Sequence, residues 1–424
     1  MTTMSAVSRD SLRHAPDSAY AFGRLAAALL FATMAGAGMW AVIVVLPEVQ
    51  AEFAVDRAAA SAPYTMTMLG LAVGTVALGR LADRVGIWVP VLIAGLLLAA
   101  GFVIGAMAPT LAVFSLAHLF LIGVGAGAGF GPMMADVSHW FVKRRGIAVV
   151  VVASGNYIAG AIWPLAMNAT LPHIGWRGTY AAIGILIGLV ALPCAFLLRR
   201  RPSRQMIAEA EEATRIASID AGLSSRLLMA VLLLAGFSCC AAMAMPQVHI
   251  VAYCGDLGYG AARGAEMLSL MLFLGVFSRI ASGFVADAIG ATATLLIGSF
   301  MQCVALVLYL FFDGLTSLYV VSGIFGLFQG GIVPMYAVIC RELLPPREAG
   351  ARIGLVVSAT IFGMAFGGYV SGVIFDLTLS YRIAFLNGVF WNLVNLAAVG
   401  WLFWRRSRAS PAPRNLAAGL SFSA

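Results

Sequence analysis

The chain has 424 residues, of which 62% are hydrophobic and 10% are charged, and its formal net charge is +8. Soluble globular proteins carry about 25% charged residues, so this composition excludes a soluble protein and indicates one that crosses a membrane many times. The positive charge does not require a nucleic-acid partner, because basic loops beside an anionic membrane leaflet account for it.

Apolar runs long enough to cross about 30 Å of hydrocarbon as helices recur along the whole chain. We predict twelve membrane spans, at residues 25–47, 61–82, 87–108, 111–135, 146–170, 176–198, 227–251, 265–286, 290–311, 315–340, 351–375 and 383–404. The fold class is therefore an all-α membrane protein. Polar segments at 1–24, 199–226 and 405–424 are expected to be an N-terminal tail, a linker and a C-terminal tail.

Basic residues are distributed unevenly between the two sides of these spans. If the N-terminus is cytoplasmic, inner segments hold 21 of the 26 Lys and Arg residues, whereas the outer loops hold only Arg57, Arg177, Arg263 and Arg382. The positive-inside rule then predicts that both termini, the linker and the two tails are cytoplasmic.

The second half of the chain repeats features of the first at an offset of 204 residues. In G-R-L-A-D-R-V-G at 79–86, the first glycine, the aspartate and the last glycine recur at 283, 287 and 290. A-S-G-N at 153–156 likewise corresponds to V-S-A-T at 357–360. These matches predict two pseudo-symmetric six-helix bundles, 25–198 and 227–404.

Two six-helix halves, a charged central loop and the G-R-L-A-D-R-V-G turn resemble the major facilitator superfamily, although Ile87 and Trp88 replace the basic residues that commonly follow this turn. Three loops resemble the group of monocarboxylate transporters and oxalate/formate exchangers: H-W-F-V-K-R-R-G-I-A at 139–148, G-W-R at 175–177 and H-I-V-A-Y-C-G-D-L-G at 249–258. The resemblance implies the major facilitator fold, with a substrate site near the membrane midplane between the bundles. It also implies a secondary transporter of the plasma membrane, such as a bacterial inner membrane, that functions as a monomer.

Arg279 is the only Lys or Arg that falls well inside a predicted span. A charge at membrane depth is costly and by default marks a substrate or ion pathway. In the resembled group an arginine of helix 8 pairs with the substrate carboxylate, and a guanidinium suits this role because its planar fork matches a carboxylate. Arg279 is therefore the predicted counter-ion; the alternative is that it pairs with backbone carbonyls or with Asp287.

The number of fixed charges favours a monocarboxylate as the substrate. The resembled oxalate exchangers use a second cation in helix 11, but residues 354–375 contain none. A dianion would bury its second carboxylate without a partner, so we expect a lactate-, pyruvate- or formate-like anion, with protons as possible co-substrates. Exchange of organic anions and proton-coupled drug export are the alternatives. No enzyme, cofactor or metal site is expected, because no metal-ligand spacing or nucleophile with a base is present.

Other polar or aromatic side chains near the predicted midplane are candidates to bind the substrate, although hydrogen bonding between helices explains such residues equally well. These candidates are Trp40, His118, Asn156, Tyr157, Gln329, Tyr336 and Thr360.

The resembled animal transporters carry an aspartate one turn before the helix 8 arginine, where this chain has Gly275. The proton carrier is therefore sought elsewhere. His118, His249 and Asp256 are the candidates, and for the histidines a packing role is the alternative.

Three charged residues at the inner ends of the predicted helices, Asp83, Arg84 and Asp287, are predicted to form a gate that joins the bundles in the outward-open state and separates in the inward-open state. Asp136 is expected to join the basic cluster Lys143 to Arg145, and Cys254 is expected in an accessible outer loop.

Overall fold

The computed structural model describes residues 16–141, 145–201, 225–343 and 346–409. Within these ranges the chain is helical and has no strand. Much of the predicted linker and tails, at 1–15, 202–224 and 410–424, lies outside the described residues, as do Lys143 and Arg144.

Twelve spanning helices, α1 to α12, follow one another within these described ranges. They are α1 Ala19–Val44, α2 Arg57–Val85, α3 Trp88–Ala106, α4 Leu111–Trp140, α5 and α6 within Arg145–Ala153 and Gly155–Leu197, α7 Ser225–Asp256, α8 Ala261–Ile289, α9 Ala291–Phe311, α10 Leu315–Gln329 continued by Ile332–Leu343, α11 Pro346–Thr378 and α12 Tyr381–Ala409. A short helix, Leu46–Phe53, lies between α1 and α2. We call the end of the molecule that holds this short helix the outer end, following the predicted orientation, and the opposite end the inner end.

Helices α5 and α6 lie in one continuous apolar segment of the sequence, Ile147–Leu197, which has 51 residues. A straight helix of that length would measure about 77 Å, far more than the hydrocarbon layer. Gly175 breaks the stretch with a φ of 66°, a conformation that glycine adopts at little cost. The stretch therefore crosses the membrane twice, and the twelve predicted spans are confirmed.

The repeated glycine turn has the same backbone conformation in both halves. α2 ends at Gly86 with a φ of 87° and a ψ of 157°, and α8 ends at Gly290 with a φ of 89° and a ψ of 152°. Residues other than glycine rarely adopt positive φ, so this turn requires glycine in both bundles. The turn between the second and third helices therefore has the same conformation in each bundle.

The first bundle contains a buried ion pair between Arg24 and Asp136. The basic residues that Asp136 was expected to join, Lys143 and Arg144, lie outside the described residues, as does the side chain of Arg145. Arg24 of α1 donates from Nε and Nη2 to the two carboxylate oxygens of Asp136 on α4, at 2.9 and 2.8 Å, and its guanidinium lies 4.7 Å from the ring centre of Trp140. Both side chains are buried. Asp136 thus pairs with Arg24 inside the bundle, because the last turn of α4 faces α1.

The prediction that Cys254 is accessible is wrong. α7 continues to Asp256, two residues beyond Cys254, and the thiol is fully buried with its sulfur 3.5 Å from that of Met267. The apolar pattern underestimated the length of α7 because its last turn is polar.

Candidate functional site

The Arg279 side chain lies where the two bundles meet, and only 5% of it is exposed. Its Nε donates to the carbonyl of Gly330 on α10 at 3.1 Å, and its Nη1 donates to the carbonyl of Ala153 on α5 at 2.5 Å. The guanidinium also lies 4.2 Å from the ring centre of Tyr157. Arg279 belongs to the second bundle. It therefore contacts the first bundle in two ways, at the carbonyl of Ala153 and at the ring face of Tyr157.

Both carbonyls come from breaks in helices. α10 is interrupted at Gly330 and Gly331, and Ala153 ends the helical segment that precedes Ser154. Carbonyls at a helix C-terminus lack intrahelical donors and carry partial negative charge. The cationic Arg279 thus faces two helix C-termini, one in each bundle.

Within the part of the chain that the structure describes, no acidic side chain pairs with Arg279. The predicted alternative partner Asp287 is exposed, two turns further along α8. The contacts of Arg279 are therefore two neutral carbonyls and a ring, so the positive charge of a buried guanidinium is not neutralised by any described carboxylate.

Gly275 explains how Tyr157 reaches Arg279. A Cβ at Gly275 would lie 2.5 Å from two ring carbons of Tyr157, so only glycine leaves room for the ring. A Cβ at Gly330 would in turn lie 2.0 Å from the carbonyl oxygen of Gly275, which shows how closely α8 and α10 approach. The tyrosine ring thus lies against the position where the resembled transporters carry an aspartate.

Trp40 and Asn156 meet next to Tyr157. The indole Nε1 of Trp40 donates to the backbone and side-chain oxygens of Asn156, at 2.8 and 3.2 Å. Asn156 also lines a cavity of ≈ 60 Å³ between the bundles, together with Met39 and, from α11, Ile361. The structure therefore groups Arg279, Tyr157, Asn156 and Trp40 along one side of the interface.

The other three candidates belong to the second bundle and hydrogen-bond to residues outside this group. Gln329 bonds with Gln247 of α7. The hydroxyl of Tyr336 donates to Oδ1 of Asn395 at 2.7 Å, and the hydroxyl of Thr360 donates to the carbonyl of Val357 within its own helix. Gln247 was not among the residues predicted from the sequence, although a glutamine beside Pro246 in an apolar helix was a usable signal.

His118 lies inside the first bundle and is fully buried. Its Nδ1 lies 2.7 Å from the hydroxyl of Thr67, and its Nε2 lies 3.4 Å from the hydroxyl of Tyr180. The Thr67 hydroxyl donates to the carbonyl of Pro63, so the arrangement fits a neutral imidazole that donates from Nδ1 and accepts at Nε2. His118 also begins a π-helical turn, His118–Gly123, within α4.

His249 is buried at the outer half of the bundle interface. Its Nε2 lies 2.8 Å from the carbonyl of Gly368 on α11, and its Nδ1 has no hydrogen-bond partner in the part of the chain that the structure describes. A carbonyl only accepts, so Nε2 carries a proton. A Cβ at Gly368 would lie 3.1 Å from the ring of Tyr64 on α2, which places His249 near the first bundle.

The third proton-carrier candidate, Asp256, belongs to a charged cluster that joins the outer ends of the bundles. Arg57, the first residue of α2, donates from Nη2 to Asp256 at 2.9 Å and from Nη1 to the hydroxyl of Tyr381 at 2.7 Å. The Tyr381 hydroxyl also donates to Asp256. Arg57 was expected in an outer loop, but it is 5% exposed.

Asp376 of α11 completes this outer contact. Its two carboxylate oxygens accept from the backbone N–H groups of Arg57 and Ala58, at 2.9 and 2.6 Å. A carboxylate is favourable at a helix N-terminus because it satisfies free N–H groups and complements the helix dipole. Here the cap is supplied by the other bundle. We call Arg57, Asp256, Asp376 and Tyr381 the outer clamp.

The three predicted gate residues at the inner end, Asp83, Arg84 and Asp287, are all exposed. Among the described residues no ion pair joins them. Hydrogen bonds and an ion pair therefore join the bundles at the outer clamp. No such contact is described between the three inner residues.

The fold agrees with a comparison of the chain with known families. The family model described as Major Facilitator Superfamily matches residues 28–315 and 267–422. The chain belongs to the Major Facilitator Superfamily, and it is a multi-pass membrane transporter whose surroundings are a lipid bilayer and whose substrate is a small molecule.

Among individual proteins the chain is similar to monocarboxylate transporters. It is 28% identical to monocarboxylate transporter 13 of Bos taurus over 305 residues, which cover 70% of this chain and 69% of that protein. It is 25% identical to monocarboxylate transporter 4 of Gallus gallus over 397 residues, covering 88% and 80%. An efflux protein for agnestins from Paecilomyces divaricatus is 26% identical over 262 residues, covering 61% of this chain and 58% of that protein.

Two solved structures have the same fold. The nucleoside transporter NupG has a TM-score of 0.71 at 14% identity, covering 90% of this chain and all of that one. A bacterial homologue of the human lysosomal transporter Spinster has a TM-score of 0.69 at 15% identity, covering 93% and 99%. At these identities the likeness concerns the fold alone.

Proposed function

We propose that the chain carries small monocarboxylates across a plasma membrane by alternating access, and that Arg279 binds the substrate carboxylate. The observation that supports this most is the buried Arg279 guanidinium, whose described contacts are all neutral. A guanidinium has five N–H groups, and the two carbonyls use one each. The remaining donors are available to an anion.

A single uncompensated charge favours a monoanion. Removing a carboxylate from water is costly unless it is paired, and Arg279 can neutralise only one. The similarity to two named monocarboxylate transporters supports the same class. Export of cationic drugs is less favoured, because such a substrate would meet a buried positive charge at the interface.

In the proposed cycle, the bonded outer clamp belongs to the inward-facing state, in which the gate residues Asp83, Arg84 and Asp287 are apart. Opening to the outside would break the clamp and bring the inner charges together. The substrate carboxylate would compete with the Ala153 carbonyl for Nη1 of Arg279, so that binding of the anion changes a contact between the bundles.

Proton coupling is proposed at His249 and Asp256 rather than at His118. His249 has an unpartnered Nδ1 beside the bundle interface, and Asp256 forms part of the outer clamp, so a change in charge at either residue affects contacts between the bundles. His118 has partners on both nitrogens within one bundle. Uptake driven by an imposed pH gradient in wild type and His118→Gln but lost in His249→Gln would support this assignment; the reverse pattern would contradict it.

The decisive experiment is uptake of labelled butyrate into proteoliposomes that contain the full chain, with Arg279→Ala, Arg279→Lys and Arg263→Ala variants. Arg263 lies on the same helix, is exposed and pairs with Glu266 at 3.0 Å, so it controls for loss of a positive charge. A hydrogen bond to a charged group contributes about 1.5–3 kcal/mol, which predicts roughly ten- to a hundredfold weaker uptake for Arg279→Ala. Arg279→Lys should recover part of it, and Arg263→Ala should resemble wild type. Saturable, unimpaired uptake by Arg279→Ala would refute the proposal.

A further inference from the structure

Two glutamines of the second bundle form a buried pair that is only half satisfied. Gln247 of α7 and Gln329 of α10 are 1% and 0% exposed. Nε2 of Gln247 donates to Oε1 of Gln329 at 2.5 Å, whereas Oε1 of Gln247 and Nε2 of Gln329 have no hydrogen-bond partner among the described residues. One acceptor atom and one donor atom of the bonded pair are thus left without a partner.

This imbalance does not depend on how the amides are oriented. Exchanging oxygen and nitrogen in both side chains reverses the direction of their hydrogen bond and again leaves one donor and one acceptor. Leaving such groups buried without partners is unfavourable. By contrast, the buried amide of Gln302 has partners for both atoms, because Nε2 donates to the carbonyl of Cys239 at 3.2 Å and Oε1 lies 3.7 Å from the Cys239 sulfur.

The pair lies next to the Arg279 site. Gln329 immediately precedes Gly330, whose carbonyl binds Arg279. α8 and α10 pack closely at this level, because a Cβ at Gly326 would lie 2.2 Å from the carbonyl oxygen of Met271 and a Cβ at Gly330 would lie 2.0 Å from that of Gly275. Gly275 precedes Arg279 by four residues, so the backbone of Gln329 lies about one helical turn, ~5 Å, further outward than that of Arg279. A small anion held by Arg279 can therefore reach toward the pair with a group a few bonds from its carboxylate.

We infer that Gln247 and Gln329 recognise a hydroxyl group, so that the preferred substrate is a hydroxylated monocarboxylate. A hydroxyl is both donor and acceptor, and it satisfies the free oxygen of one amide and the free nitrogen of the other. An oxo group only accepts and leaves one amide atom unpaired, while a methyl group leaves both unpaired. The inference rests on the proposed function, because Arg279 must first hold the carboxylate.

The test measures how unlabelled butyrate, its 2-, 3- and 4-hydroxy derivatives and 2-oxobutyrate compete with labelled butyrate for uptake into proteoliposomes. At least one hydroxybutyrate should compete about tenfold better than butyrate, the factor expected for one additional hydrogen bond. Gln247→Met and Gln329→Met should remove this preference, so that the hydroxybutyrates compete no better than butyrate. Gln302→Met makes the same change at a buried glutamine outside the pair and should keep the preference.

The outcomes separate this inference from the proposed function. If labelled butyrate is not transported at all, the proposed function fails. If butyrate is transported but no hydroxybutyrate is preferred by the wild type, the pair is a packing contact or holds a water molecule, and the inference is overturned even if the variants do not fold. A preference that survives both Gln247→Met and Gln329→Met overturns it as well.

Discussion

Nη1 of Arg279 donates a hydrogen bond of 2.5 Å to the backbone carbonyl of Ala153, and these two residues belong to different bundles. A buried cation that bonds to the opposite bundle is sensitive both to an anion and to movement of the bundles. In the proposed cycle this contact couples substrate binding to the change between inward- and outward-facing states, because the carboxylate and the Ala153 carbonyl compete for the same N–H groups.

The ring of Tyr157 should position the Arg279 guanidinium. A desolvated cation–π contact contributes about 2 kcal/mol, so Tyr157→Leu should raise the half-saturating butyrate concentration in proteoliposome uptake roughly tenfold or more. Tyr157→Phe keeps the aromatic face and should stay within about threefold of wild type. Equal effects of the two substitutions would show that the ring face does not matter.

Gly275 should tolerate no side chain. A Cβ there would lie 2.5 Å from the Tyr157 ring, and overpacking of this kind costs about 1–3 kcal/mol. Gly275→Ala should therefore lower the thermal unfolding midpoint of the detergent-solubilised protein. Gly283→Ala on the same helix is the control, because no atom lies within 4 Å of the added Cβ; it should be neutral or stabilising, as alanine favours helix. If both variants melt alike, the proposed steric requirement is absent.

The outer clamp should limit access to the interface from the outer end. Ser371 of α11 is 1% exposed, so a Ser371→Cys reporter should react slowly with a bulky maleimide in detergent. Adding Arg57→Ala removes the link to Asp256 and Tyr381, and labelling should become roughly tenfold faster, corresponding to about 1.4 kcal/mol. Arg263→Ala removes an exposed outer arginine that pairs within its own helix, and it should leave the labelling rate unchanged. Equal rates in all three proteins would argue against the clamp.

Glu52 should stabilise the outer end of the first bundle in a pH-dependent way. Hydrogen bonding from Arg177 lowers the pKa of the Glu52 carboxyl, and the indole of Trp176 contributes further. A lowered folded-state pKa gives stability that is present above the unfolded pKa of about 4.3 and is lost as the pH falls through the folded value. Glu52→Gln should therefore lower the unfolding midpoint at neutral pH, and the difference should shrink as the pH falls below about 4.

Glu48 lies on the same short helix and serves as a control, because the pH dependence of its contribution to stability should be opposite to that of Glu52. Burial raises the pKa of its carboxyl, and its Oε2 has no hydrogen-bond partner. Its favourable contribution is present below the unfolded pKa and is lost as the pH rises through the raised folded value. Glu48→Gln should therefore raise the unfolding midpoint at neutral pH and have little effect in acid. A decrease at neutral pH would contradict this assignment.

The sequence by itself determined the features that depend only on whether a single residue or segment is more stable in water or in lipid. The twelve spans follow from hydrophobicity and the two-bundle fold follows from the repeat at an offset of 204 residues. The single arginine at membrane depth stands out because a charge is unfavourable there. The repeat also extends further than the matched letters. Thr75, which the 204-residue offset aligns with Arg279, bonds to the carbonyl of Gly127 on α4 at 3.4 Å, much as Arg279 bonds to Gly330 on α10.

Only the tertiary structure decided what these residues contact. The sequence cannot single out the carbonyls of Ala153 and Gly330, because every residue has a backbone carbonyl. Whether a carbonyl is free to accept a hydrogen bond from Arg279 depends on where a helix is interrupted. The clamp joins Arg57 to Asp256 across 199 positions of the chain, and a hydropathy pattern cannot show which helix ends meet. Gln247 and Gln329 form a pair only because α7 and α10 bring them together in the protein interior. Neither buried amide can hydrogen-bond to bulk water there.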